Sequence, residues 1–253
     1  MTRLLVRGKA LMGLPLKQQQ RQQYTLRFAS SDSSFLDQRQ APKLWKQGAA
    51  VVYPNMITEQ EATAISDEIL GHRMRRRRYE KGHWDSVITD YREIELLDIH
   101  QVMKENEKLA ADSSQLATMA TTLERIRRHL DQNHETTNHW LPCHAIDLAK
   151  KGELRAHVDS VRFSGHIVAG LSLLSPAIMR LKPSEDGQNH ESDESENDKN
   201  ESQLEDGFVD LYLPPNSLYV LSGVGRYQTS HELLPDGSKF GDIGVLINFL
   251  LEN

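Results

Sequence analysis

The sequence predicts an α+β fold in which helices pack on a β-sandwich or jelly roll. Two observations carry this. Helical periodicity is confined to the first half of the chain, and from residue 143 onward the texture changes to short β-rich runs separated by turn residues. Helices first and a succession of antiparallel strands later is the order expected of one sheet-rich core with helices laid over it. A chain of 253 residues suffices for one sizeable domain. No apolar run reaches the roughly eighteen residues that a spanning helix requires, so no membrane span is expected.

The elements follow in order. Residues 1–31 contain no Asp or Glu, and Arg3, Arg7, Lys9, Lys17, Arg21 and Arg27 are interleaved with leucines before a Ser-rich end. That composition is the one of a mitochondrial presequence, so this segment is expected to be disordered and to direct import into the matrix. Residues 49–54 (AAVVYP) read as a short buried strand closed by proline. A helix then starts at Thr58, with Glu61 completing a capping box and Ile57 facing Ala62 as a staple. Ile65, Ile69 and Leu70 continue its apolar face, and Gly71 is expected to stop it. Arg75 to Arg78 follow, then a loop, YEKGHWD. Leu116, Met119, Leu123, Ile126 and Leu130 recur at helical spacing and predict a helix over 113–131. The later runs CHAIDLAK, ELRAHVDS, HIVAGLSLLS, AIMRLK, GFVDLYLP and NSLYVLSG read as strands.

The charge is unevenly spread. The chain carries a net −6, yet residues 184–206 alone hold ten acids and one lysine. Without them the remainder is mildly basic. Such a stretch lacks the apolar residues to fold and is expected to be a disordered acidic loop inserted between two strands. The single cysteine, Cys143, rules out an internal disulfide and a cysteine-built metal cage, so metal chemistry here needs imidazole and carboxylate.

A His-x-Asp pair on an extended strand puts an imidazole and a carboxylate on one side of the chain. With a distant histidine alongside, it forms the facial triad that holds Fe(II) and leaves coordination positions open. The pair is short and arises readily by chance. Three occur: His83/Asp85, His129/Asp131 and His157/Asp159. His129 and Asp131 end the predicted helix, where positions two apart point to different sides. His83 and Asp85 fall in the polar loop. His157 and Asp159 end a strand-like run, and His231, at the edge of a later strand, is the natural third ligand. Spacing alone leaves open that these are unrelated polar residues at strand ends.

At these residues the sequence resembles the AlkB family of iron(II)- and 2-oxoglutarate-dependent oxygenases, most of all its mitochondrial member. The matching stretches are RRRRYEKGHWD (75–85), HVDSVRFSGHIVAGLSLLSPAIMRL (157–181) and PPNSLYVLSGVGRYQTSHELL (214–234). The resemblance makes 45–253 an AlkB-like oxygenase domain with a double-stranded β-helix core. It implies that His157, Asp159 and His231 bind Fe(II), and that 2-oxoglutarate is decarboxylated to succinate while a substrate C–H bond is oxidised. It further implies a protein or small-metabolite substrate and a tie to mitochondrial fatty-acid handling and programmed necrotic death. Arg75 to Arg78 leave a second reading, an RNA demethylase, against the plainer one of a solvated basic turn.

The family anchors the far carboxylate of 2-oxoglutarate with an arginine on a strand after the last histidine, a task suited to a bidentate, always-charged guanidinium. After His231 this sequence reads ELLPDGSKFGDIGVLINFLLEN, with Lys239 its one cation and no arginine. The likeness stops at Gly241–Asp242, as expected if the last exon is replaced here. The cosubstrate residues are therefore not assigned, and a catalytically impaired, metal-binding regulatory protein is the competing expectation.

Overall fold

Strands from both halves of the chain pair into two antiparallel sheets and a short two-stranded ribbon, and the helices cover the largest sheet. The computed structural model describes residues 33–82, 86–96, 114–136, 140–160, 164–184 and 206–241, together with the backbone course of 3–10 and 245–246. The elements are β1 (Arg3–Ala10), β2 (Leu36–Asp37), β3 (Ala50–Tyr53), helix α1 (Glu59–Ser66), β4 (Glu80–Gly82), β5 (Ile88–Leu96), helix α2 (Ser114–Asn133), β6 (Trp140–Leu154), β7 (Ile167–Leu173), β8 (Ala177–Pro183), β9 (Val209–Leu213), β10 (Leu218–Ser222), the short helix α3 (Gly223–Tyr227), β11 (Thr229–Leu233), β12 (Lys239–Phe240) and β13 (Val245–Leu246). One sheet runs β3-β10-β7-β1-β6-β5-β4, and the other runs β11-β8-β9-β2. The expected α+β architecture, helices on a jelly-roll core, is what the chain forms.

Both faces of the central strands β7 and β10 are buried, so these strands read as nearly continuous apolar runs. Along β7 all seven residues are buried. Ile167, Ala169, Leu171 and Leu173 pack with Ile65, Ile69, Met119 and Leu130 of the helical layer. On β10, Leu218 and Val220 join that layer, while Tyr219 and Leu221 turn inward to Leu181, Val209 and Leu211 of the smaller sheet. Each of these isoleucines and leucines contributes about 1.5–3 kcal/mol through burial. Gly170 lies opposite Tyr219, and a Cβ there would press into the tyrosine ring.

The start of α1 has the expected capping box. The Glu61 amide donates to Thr58 Oγ1 at 3.2 Å, and the Thr58 amide donates to Glu61 Oε2 at 2.8 Å. Gly71 does not stop the helical path. The path continues as a π-helical turn over Asp67–Arg73, closed by the Met74 amide donating to the Ile69 carbonyl at 2.7 Å. Burial of Met74, which has no exposed surface, and the Arg73–Glu68 pair hold that turn against the glycine's preference.

Three further features differ from the sequence reading. Part of the YEKGHWD loop is strand β4, paired with β5, a hairpin partner that the pattern of ITDYREIEL concealed. CHAIDLAK lies inside one long strand, β6, which ends at Leu154, so most of the run ELRAHVDS, with His157 and Asp159, falls beyond the strand it was expected to form. Residues Arg3–Ala10, expected to be disordered, form β1 and lie between β6 and β7, with Leu5 opposite both Ile146 and Ser172. Unpaired backbone on two neighbouring strands is a template for a third, and this segment satisfies it. Residues 11–32 and 185–205 lie outside the described residues.

Candidate metal centre

β11 is the edge strand of the smaller sheet, and His231 is paired there with Leu181 of β8. Because Leu181 belongs to the core between the sheets, His231 faces inward, and it is 2% exposed. Beyond the end of β6 the chain meets β11 at a single antiparallel bridge, His157 opposite His231. The His157 amide donates to the His231 carbonyl at 3.2 Å, and the His231 amide donates back at 2.8 Å. Directly opposed residues place their side chains on one face. The two imidazoles accordingly lie 4.2 Å apart between ring centres, tilted by 52°.

Asp159, two residues on, returns to the same side. Its Oδ1 lies 3.5 Å from His157 Nε2, and one ligand atom from each of His157, Asp159 and His231 falls within 4.8 Å of the other two. The tautomer of His157 follows from its neighbour. Nδ1 lies 2.8 Å from the Arg155 carbonyl, an acceptor, so Nδ1 carries the hydrogen and Nε2 presents its lone pair to the cluster. Two neutral nitrogens and a carboxylate, without sulfur, suit a divalent first-row ion such as Fe(II).

His129 and Asp131 take no part in this cluster. His129 is buried against the Tyr53 ring, and burial lowers its affinity for a proton. Asp131 accepts from Thr136 and Trp140 instead. His83 and Asp85 lie outside the described residues. Arg75, Arg76, Arg77 and Arg78 are exposed on a turn anchored from beneath. There Arg92 donates to the carbonyls of Met74 and Arg77 and pairs with the fully buried Asp147 at 2.6 Å.

The curated mouse protein "Alpha-ketoglutarate-dependent dioxygenase alkB homolog 7, mitochondrial" (Mus musculus) is 34% identical over 194 residues, covering 76% of this chain and 70% of that protein. Its counterpart in Bos taurus is 34% identical over 194 residues, covering 77% and 71%. The chain belongs to the AlkB family of dioxygenases and is similar to AlkB homologue 7. No protein-family model matches it. As a member of the AlkB family it is an Fe(II)- and 2-oxoglutarate-dependent dioxygenase, and the donor set above fits that ion.

Among the described residues no arginine follows His231. Lys239 is exposed on the β12–β13 ribbon, next to Phe240, whose ring lies 5.7 Å from that of Tyr212 and is tilted by 35°. Arginines close to the triad in the fold are engaged elsewhere, Arg180 with Asp210 among them. Arg155 pairs with Glu153, and Arg226 is buried under the triad's own loop. A cleft of about 540 Å³ opens beside the site, lined by Lys150, Arg155, Glu232 and Leu233 among others. Sequence reasoning missed Arg226 as a site residue. Its signal was a charged side chain inside an otherwise apolar run, SLYVLSGVGRY.

Proposed function

We propose that His157, Asp159 and His231 hold Fe(II) in this chain and that it oxidises a C–H bond of a protein or small-metabolite substrate in the mitochondrial matrix. The observation that carries the reading is the convergence of these three side chains at one sheet edge in a chain of this family. Fe(II) and 2-oxoglutarate, once bound, supply the oxidation, with the keto acid decarboxylated to succinate and dioxygen consumed. The protein's own residues do the rest. The backbone bridge fixes the two imidazoles, the Arg155 carbonyl fixes the His157 tautomer, and the inter-sheet core keeps water from His231. The relatives' mitochondrial designation supports the location. The tie to fatty-acid metabolism and programmed necrosis rests on the family resemblance.

A second reading, a catalytically impaired metal-binding regulator, is favoured by one observation: residues 232–253 contain no arginine to pair with 2-oxoglutarate. Succinate release by the purified chain, run beside a version whose last strand carries arginine, separates the two. Turnover by the unmodified chain supports the oxygenase, whereas turnover only in the restored version supports the regulator. An RNA substrate is tested in the same assay. RNA-stimulated turnover that falls steeply with salt and is lost on replacing Arg75 to Arg78 would favour it.

A further inference from the structure

Arg226 stands out as a charge with 2% of its surface exposed. Arginine is seldom buried this fully, because removing a guanidinium from water is costly unless its donors are satisfied. Here they are satisfied by carbonyls of one segment. Nη1 donates to Asp159 O at 2.9 Å, Nη2 to Ser160 O at 3.1 Å, and Nε to Gly165 O at 3.3 Å. Residues 158–160 and 164–166 belong to neither sheet, so no strand ladder fixes them. Tyr227 reinforces the tie, with its hydroxyl 3.2 Å from His166 Nδ1 and its ring beside the guanidinium.

The approach of Arg226 is built into α3. Gly225 allows that helix to sit directly on the Ala49 carbonyl, where any Cβ would collide. Thr229 Oγ1 donates to the Gly225 carbonyl at 3.0 Å, locking α3 to the start of β11, two residues before His231. One rigid unit therefore holds a histidine of the triad at one end and the backbone of its carboxylate at the other. We propose that Arg226 is a positioning residue of the metal centre, setting Asp159 against His157 and His231 by clamping the carbonyls of Asp159, Ser160 and Gly165. A planar fork with donors on three nitrogens spans such a set, which a lysine ammonium does not. This inference rests on the metal-site reading above.

The test is Co(II) binding, followed by its visible absorption and by calorimetry, in the full chain and in Arg226→Met and Arg226→Lys, each repeated with Asp159→Ala. Outer contacts of this kind typically change metal affinity about 10–100-fold. Arg226→Met is expected to weaken Co(II) by that factor and to alter the absorption band. Arg226→Lys, which keeps the charge and folds more readily, is expected to fall between. In the Asp159→Ala background the Arg226 substitutions are expected to change affinity less than about 3-fold, because residues acting through one another are not additive. Equal losses in both backgrounds would show a merely structural role and overturn the proposal, as would unchanged binding in both variants. Failure of the unmodified chain to bind Co(II) would instead overturn the metal-site reading, and this proposal with it.

Discussion

Replacing Arg92 with methionine leaves Asp147 as a carboxylate with no exposed surface and, among the described residues, no cation paired with it. Arg92 Nε lies 2.6 Å from Asp147 Oδ2, with Arg92 16% and Asp147 0% exposed, so little solvent screens the pair. Tyr79 also donates to that oxygen at 2.9 Å. Burial, then the hydrogen bond to Asp147 and its charge, push the Tyr79 hydroxyl up to about 12, so it stays protonated but brings no positive charge. Breaking a buried pair from one side costs about 3–5 kcal/mol. Loss of the donations to the Met74 and Arg77 carbonyls adds to that, because they tie the Arg75–Arg78 turn to the sheet. For a domain of this size the melting temperature should fall by roughly 6–20 °C. The double variant Arg92→Met/Asp147→Leu removes both charges and should recover most of the loss. Chemical denaturation and thermal melts read both values. A single variant within about 1 kcal/mol of the parent, or a double variant no better than the single, would refute the reasoning.

Three other outcomes are expected. Glu61 is subject first to burial, which raises its pKa, but the Thr58 amide and Arg125 outweigh this and hold the carboxyl below its ordinary value. The stability that Glu61 contributes is therefore complete above about pH 4.5 and lost as the pH falls through the lower folded value, so Glu61→Gln should flatten the acid side of a stability–pH curve. Gly170→Ala should cost about 1–3 kcal/mol by pressing into Tyr219, measured by denaturant melts, and a neutral result would show that the ring moves aside. Removing residues 1–10 takes β1 from between β6 and β7 and should lower the melting temperature and promote self-association; an unchanged monomer by light scattering with an unchanged melt would show that the strand contributes nothing.

How far the sequence was legible depended on whether the signal was local. The Thr58/Glu61 box lies within three residues and was read correctly, as were the α2 periodicity and the apolar texture of β7 and β10. The sequence separated His157 and Asp159 from the two other pairs by strand context, whereas in the structure the strand ends at Leu154 and an isolated bridge sets His157 opposite His231. The hairpin of β4 and β5 was hidden because Arg92 faces inward and breaks the alternation that marks a strand; its partner, Asp147, is 55 residues away. β1 was hidden for a different reason. An acid-free mixture of arginine and leucine suits a presequence and a strand equally, and the vacancy between β6 and β7 exists only in three dimensions. The role of Arg226 was equally invisible, because its acceptors are backbone carbonyls and leave no mark on residue identity.

The central claim is that three side chains from two chain segments hold one iron. Anaerobic titration of the purified full chain with Fe(II), beside His157→Ala, Asp159→Ala and His231→Ala, tests it most directly. The account predicts one Fe(II) per chain, with affinity reduced by at least about 10-fold in each variant while the melts of the metal-free proteins stay close together. Binding of one equivalent that survives all three substitutions, or no binding by the parent chain, would contradict it.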